Sequence, residues 1–237
     1  PVVFLQCFVG DQETCFVKKL LLYPHGGSGN HGCEAIVVAT AGILTDFNEI
    51  LLFSTQPDQD VKAGLDRVCQ IKRLYSPIHK FSPAYLGAAS RYYLMRRKDA
   101  FDRLAFNELF QSARRGLALS IGGDYYCYGR PGFIYFINNH LRKQGVPTVL
   151  WGCSVEPEAI DDEMLEDLKG YRLIVARESI TYEALRTRGL SQTKLFPDPA
   201  FQLDRMDEAL PSGFELKNTV GVNVSPMVLG YEKNKGL

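Results

Sequence analysis

Apolar residues arrive in this chain in two rhythms: short unbroken runs, and longer stretches in which they return every three or four positions. Lys18 to Tyr23 (KKLLLY) is a run of the first kind, closed by Pro24, and predicts a buried strand. From Glu34 the residues Ile36, Ala39, Ile43 and Phe47 share one helical face, which predicts a helix. Glu49 to Ser54 is a second strand, followed by a polar turn from Gln56 to Asp60, and Val68 to Leu74 is a short third. Residues 83–98 and 99–115 predict two amphipathic helices. The second puts Phe101, Leu104, Leu109 and Ala113 on one stripe and stops at Arg114, Arg115 and Gly116.

The alternation continues to residue 203. Leu117 to Ile121 predicts a strand running into Gly122, Gly123 and Asp124. Phe133 to Lys143 predicts a helix with Pro131 near its start and Gly145 beyond its end. Strands at Pro147 to Gly152, Arg172 to Ala176 and Lys194 to Phe196 enclose helices at Met164 to Leu168 and Ser179 to Arg188. Strands that are apolar throughout, rather than at every second residue, are buried on both faces. That pattern predicts an α/β fold with a doubly wound, mainly parallel, Rossmann-like sheet over residues 18–203. Residues 204–218 are polar around Pro211, Ser212 and Gly213 and predict a linker; Thr219 to Val224 predicts a strand opening a further domain, so residues 219–237 are expected to be the start of a truncated C-terminal domain. Residues 1–17 lack an initiator methionine and a basic leader region; they are an uncertain extra segment, read equally as an added strand, an artificial addition or a misplaced piece.

Composition narrows the function. Lysine plus arginine equals aspartate plus glutamate, 27 against 27, so no overall charge draws the chain to nucleic acid or to a membrane, and any anion must be bound locally. The six cysteines lie far apart without metal or disulfide spacing, and the four histidines form no ligand set. These features predict reduced thiols and no protein-built metal site; no resident cofactor is expected. No apolar run approaches the roughly 18 residues that span a bilayer. The expected place is the cytoplasm, with a peripheral position at the inner face of a membrane left open.

The candidate chemistry gathers where strands end. Tyr23 to Ala35 (YPHGGSGNHGCEA) packs four glycines between a strand and a helix, where bare helical N–H groups and the helix dipole favour an anion. Gly27 to Gly32 also matches G-x-G-x-x-G, but the second strand ends in Phe53-Ser54-Thr55-Gln56, without the acid that would clamp a ribose. Open parallel sheets bind ligands at the carboxyl ends of their strands. Read together, those ends nominate Gly27, Gly29, Asn30 and Gly32 from the first; Gly122, Gly123 and Asp124 from the fourth; and Arg177, Glu178 and Asp198 further on. Each has a plainer reading: Arg177 as a neighbour's ion-pair partner, Asp124 and Asp198 as turn residues, Ser179 as a helix cap. Tyr125, Tyr126 and Tyr128 offer flat faces to a sugar or pack beneath a loop, and Asp58-Gln59-Asp60 has the form of a metal-nucleotide site or of an ordinary polar loop. His25 and His31 invite an acid role, although a histidine in such a turn more often bonds backbone or solvent. The basic residues between Arg91 and Arg115 make either a solvated helix face or a contact for an acidic partner or a membrane-surface acceptor.

Four segments in order, GSGNHGCEAIV (27–37), LSIGGD (119–124), VARESITYEAL (175–185) and FPDPAFQL (196–203), resemble the polysaccharide pyruvyl transferase family. The resemblance implies one half of a GT-B-like two-domain architecture. It also implies transfer of the pyruvyl group of phosphoenolpyruvate to hydroxyls of a glycan or lipid-linked sugar, forming a ketal in exopolysaccharide or other cell-surface glycan synthesis. It implies phosphoenolpyruvate as the donor substrate, a compact double anion that the glycine turn and Arg177 suit. The resemblance further implies an Arg-Leu-His segment in the second half, whose histidine is the general acid and whose arginine holds the donor; this chain does not contain it, so no catalytic residue is assigned and the piece alone is expected to be inactive. Family members often carry a third glycine where this chain has Asp124. The competing expectation is a GT-B-like glycosyltransferase that uses a nucleotide sugar.

Overall fold

The computed structural model describes residues 19–205, 209, 212–214 and 217–222. The chain divides into two units, residues 1–203 and 204–237. Residues 1–17 lie outside the described part, as do 223 and 224 of the strand expected at 219–224, whose described residues 219–222 carry no strand.

The first unit is built from β1 (Lys19–His25), α1 (His31–Ile43), β2 (Glu49–Ser54), α2 (Pro57–Lys62), β3 (Gln70–Arg73), α3 (Pro83–Tyr93), α4 (Ala100–Ala105), α5 (Asn107–Ser112), β4 (Leu117–Ser120), α6 (Gly132–Lys143), β5 (Thr148–Cys153), α7 (Asp162–Lys169), β6 (Leu173–Ala176), α8 (Ser179–Thr187) and β7 (Thr193–Leu195). The strands form one parallel sheet in the order β3-β2-β1-β4-β5-β6-β7. The order reverses between β1 and β4, which leaves a crevice at their carboxyl ends because the following connections depart to opposite faces. Both faces of the sheet are covered. Leu20, Leu22, Leu119 and Val149 pack with Ile36 and Val37 of α1 on one side, and Leu21, Tyr23 and Ala118 pack with Leu109, Phe110, Ile137 and Leu141 on the other. Full burial of such side chains contributes about 1.5–3 kcal/mol each, which is why the runs are apolar without alternation.

Four elements depart from the sequence reading. Strand β1 continues through Pro24 to His25; Pro24 has no N–H to give, and the register with β2 shifts between Leu22 and His25. The helix expected over 83–98 ends at Tyr93, and Arg96 takes a left-handed φ of 53°. The helix expected over 99–115 is two short helices broken at Phe106, whose ring turns inward against Phe110 and Phe136. The polar turn at Gln56 to Asp60 is the start of α2, with Pro57 at its first position.

Candidate functional site

A cavity of about 410 Å³ opens at the crevice, lined by Asn30, Gly32, Cys33 and Ile36 from the start of α1, by Gly123 and Asp124 beyond β4, and by Arg177, Asp198, Ala200 and Phe201. Six of the residues nominated from strand ends therefore meet in one place: Asn30, Gly32, Gly123, Asp124, Arg177 and Asp198. The fold explains the meeting, since residues far apart in sequence leave the same edge of neighbouring parallel strands.

Arg177, just beyond β6, is the cation on the cavity wall. Its Nε donates to Ser154 Oγ at 2.9 Å and its Nη1 to Asp198 Oδ2 at 3.2 Å. Asp198 is itself fixed, because its Oδ1 accepts the N–H of Ala200 at 2.9 Å. The guanidinium lies so close to Gly123 that a Cβ there would sit 2.7 Å from Nη1 and 3.2 Å from the Gly152 carbonyl. Gly123 also anchors the neighbouring strand end, its carbonyl accepting Ser154 N–H at 2.6 Å. A fork held on one edge and open on the other presents its remaining donors to an incoming carboxylate or phosphate. At the opposite wall Asn30 caps α1, its Oδ1 accepting Gly32 N–H at 3.0 Å.

The glycine turn is organised differently from the sequence expectation. Asp60 of α2 is fully buried beneath it, and its Oδ1 accepts from Ser28 N and Ser28 Oγ, each at 2.8 Å, and meets His25 Nε2 at 3.0 Å. Gln59 Oε1 accepts Gly29 N–H at 3.2 Å. Gly27 has φ 108°, and a Cβ on it would lie 2.7 Å from Gln56 Cβ. Gly27 and Gly29 therefore face α2 and not the cavity: their missing side chains make room for glutamine side chains. Gly122 likewise accommodates the ring of Tyr125. Glu178 does not line the cavity either, because both of its carboxylate oxygens accept Thr181 N–H and cap α8. Ser179, read as a cap, is instead the first helical residue.

Among the tyrosines, Tyr126 is buried, donating to Asp167 Oδ2 at 2.6 Å and meeting Tyr171 Oη at 2.9 Å, while Tyr128 stands in solvent. Burial, then Cys33, Tyr75 and Asp124, pushes the Tyr125 hydroxyl up to about 12. The Cys33 thiol on the cavity wall is raised first by burial and then by Asp124, with Arg177 opposing, so it remains a thiol at neutral pH. His25 is held below its ordinary range by burial, against the pull of Asp60, and is a neutral structural residue. His31 is exposed and touches Glu34 at 2.9 Å. Among the described residues, no cluster of histidine, cysteine and acidic side chains has the form of a metal site. No helix of the described residues is long and apolar enough to cross a membrane. Two features escaped the sequence reading. Phe201 and Ala200 on the cavity rim had a signal in the segment FPDPAFQL; the burial of Asp60 had none, since nothing in Asp58-Gln59-Asp60 marks one acid as buried.

A parallel sheet with this strand order and a crevice at its reversal defines a Rossmann-like α/β domain, a fold class whose ligand sites lie at the carboxyl edge of the sheet. The family model described as polysaccharide pyruvyl transferase matches residues 30–234, and the chain belongs to that family of transferases. No curated protein matches it. Among solved structures it is similar to Anabaena Alr3699/HepE, crystallised in complex with UDP and glucose, with 14% sequence identity and a TM-score of 0.48. The similarity covers 77% of this chain and 44% of the other, so the chain spans under half the length of that protein.

Proposed function

We infer that this domain holds the donor for pyruvyl transfer from phosphoenolpyruvate to a glycan. The reading rests chiefly on Arg177, a guanidinium fixed by Ser154 and Asp198 on a cavity wall opposite the start of α1. A donor carrying both a carboxylate and a phosphate suits two facing electropositive groups, the fork and the first amides of a helix. Asp124 and Asp198 also line the cavity, so a free anion is repelled unless it enters on the guanidinium side. Asp198 is already engaged by Arg177 and Ala200. Asp124 then serves the acceptor, taking hydrogen bonds from sugar hydroxyls.

In the reaction the donor's methylene carbon takes a proton from a general acid, leaving the adjacent carbon electron-deficient. A sugar hydroxyl attacks that carbon and releases its proton. The carbon–oxygen bond to phosphate breaks with its electron pair, and a second hydroxyl closes the ketal, losing a second proton. His25 and His31 are placed for none of these transfers: one is sealed against Asp60 and the other is in solvent. The family resemblance gives the acid to an Arg-Leu-His histidine.

Melting curves of the full chain with phosphoenolpyruvate, UDP-glucose and NADH test the reading, because a ligand bound by the folded state raises the melting temperature. Stabilisation by phosphoenolpyruvate alone is expected. Stabilisation by UDP-glucose without a response to phosphoenolpyruvate would replace it with a nucleotide-sugar transferase.

A further inference from the structure

The segment leaving β3 carries chemistry that the cavity does not use. Between Asp66 and Asp99 the chain has eight lysines and arginines and no acid, although over its whole length the two signs balance at 27 each. Helix α3 packs on α4 through Tyr85 and Tyr92, whose rings lie 5.7 and 5.5 Å from Phe101. Leu86 and Tyr93, one position further round, lack that cover. They are 54% and 74% exposed, and Phe81, Leu94 and Met95 beside them are 81%, 81% and 62% exposed. Lys80, Arg91, Arg96, Arg97 and Lys98 are exposed neighbours of these residues along the chain, and none makes an ion pair with a described residue. The segment starts at the carboxyl end of β3, the same sheet edge as the cavity, with Tyr75 near enough to Tyr125 to influence its hydroxyl.

We propose that residues 78–98 dock this domain on an anionic lipid bilayer. Leu86, Tyr93, Leu94 and Met95 enter the boundary between headgroups and acyl chains, and the five cations pair with lipid phosphates. Charge decides among the occupants. A second copy would set five cations against five cations. A nucleic acid would satisfy the cations and leave the aliphatic side chains in water. An anionic bilayer satisfies both. Docked this way, the sheet edge that bears the cavity faces the membrane, where a lipid-linked saccharide presents its hydroxyls; that last step rests on the glycan-acceptor reading, whereas the docking does not.

Co-sedimentation of the full chain with vesicles of phosphatidylcholine, alone or mixed with phosphatidylglycerol, tests the docking without any donor. Sedimentation with the mixed vesicles, weakened by salt, is expected. Leu94→Glu with Met95→Glu, and separately Arg96→Glu with Arg97→Glu, should each lower it about tenfold or more with the melting temperature unchanged. Failure to sediment with mixed vesicles would overturn the proposal, as would equal sedimentation with phosphatidylcholine alone or indifference to both pairs of substitutions. So would retention of RNA or self-association in place of vesicle binding. Should a substituted chain misfold, amide exchange of the unaltered chain decides: slowing at residues 81–98 on adding vesicles supports the docking, and slowing only elsewhere contradicts it. Because no donor is involved, either outcome leaves the assignment of Arg177 where it stands.

Discussion

Two glycine bends leave neighbouring strands, one after β1 and one after β4, and they use their missing side chains for different ends. In the first, Gly27 and Gly29 make room for Gln56 and Gln59, while Asp60 beneath them takes up the Ser28 amide and hydroxyl. In the second, Gly123 makes room for a guanidinium that borders the cavity. The first bend is therefore a structural clamp, and the second a seat for a guanidinium on the cavity wall. A glycine-rich turn at a sheet edge shows that something comes close; only the identity of the neighbour tells whether that something is protein or ligand.

The difference predicts opposite phenotypes. Asp60→Ala removes the acceptor for Ser28 N, Ser28 Oγ and His25 in a dry site and should cost about 3 kcal/mol of stability, measurable by urea denaturation. A cost below about 1 kcal/mol would mean that the first bend needs no clamp. Gly123→Ala meets chiefly the Arg177 guanidinium, at 2.7 Å, and more loosely the Gly152 carbonyl, at 3.2 Å, so the side chain gives way first: the fold should lose about 1 kcal/mol, while displacement of Arg177 weakens phosphoenolpyruvate binding about tenfold. A reversal, with stability lost and affinity kept, would make the second bend structural too.

The smallest effect is a pH dependence centred on the first bend. Burial lowers the proton affinity of His25 in the folded state, with Asp60 only partly opposing, whereas the unfolded residue titrates near its ordinary value of about 6.5. Below that value the unfolded chain binds a proton that the folded chain refuses. This contribution to stability is complete above about pH 6.5 and is lost as pH falls through the folded value. His140, also lowered by burial, acts in the same direction. Denaturation between pH 8 and 5 should show stability level at the alkaline end and falling toward the acid end; a rise on acidification would contradict it.

The same contrast sorts what the sequence revealed. The strands were legible because Leu20 to Leu22 or Leu117 to Leu119 are buried on both faces and so are written as unbroken apolar runs. Arg177, Asp198, Asp124 and Gly123 were legible as a group because parallel strands bring their carboxyl ends together whatever the details of the loops. The work of Gly27 and Gly29 was hidden, since their partners Gln56 and Gln59 lie at the cap and in the first turn of a short helix whose polar sequence reads as a turn. The break at Phe106 was hidden for a related reason: an aromatic residue on a helical stripe gives no sign that it will turn into the core and end the helix.

The most direct test of the central claim, that Arg177 holds the donor, is the dissociation constant of phosphoenolpyruvate for Arg177→Ala beside the unaltered chain and His31→Ala. Loss of a charge-assisted contact of about 1.5–3 kcal/mol predicts an affinity about ten to a hundred times weaker for Arg177→Ala, with the melting temperature nearly kept and His31→Ala unchanged. Equal affinity in all three would remove Arg177 from the site and the donor from this cavity.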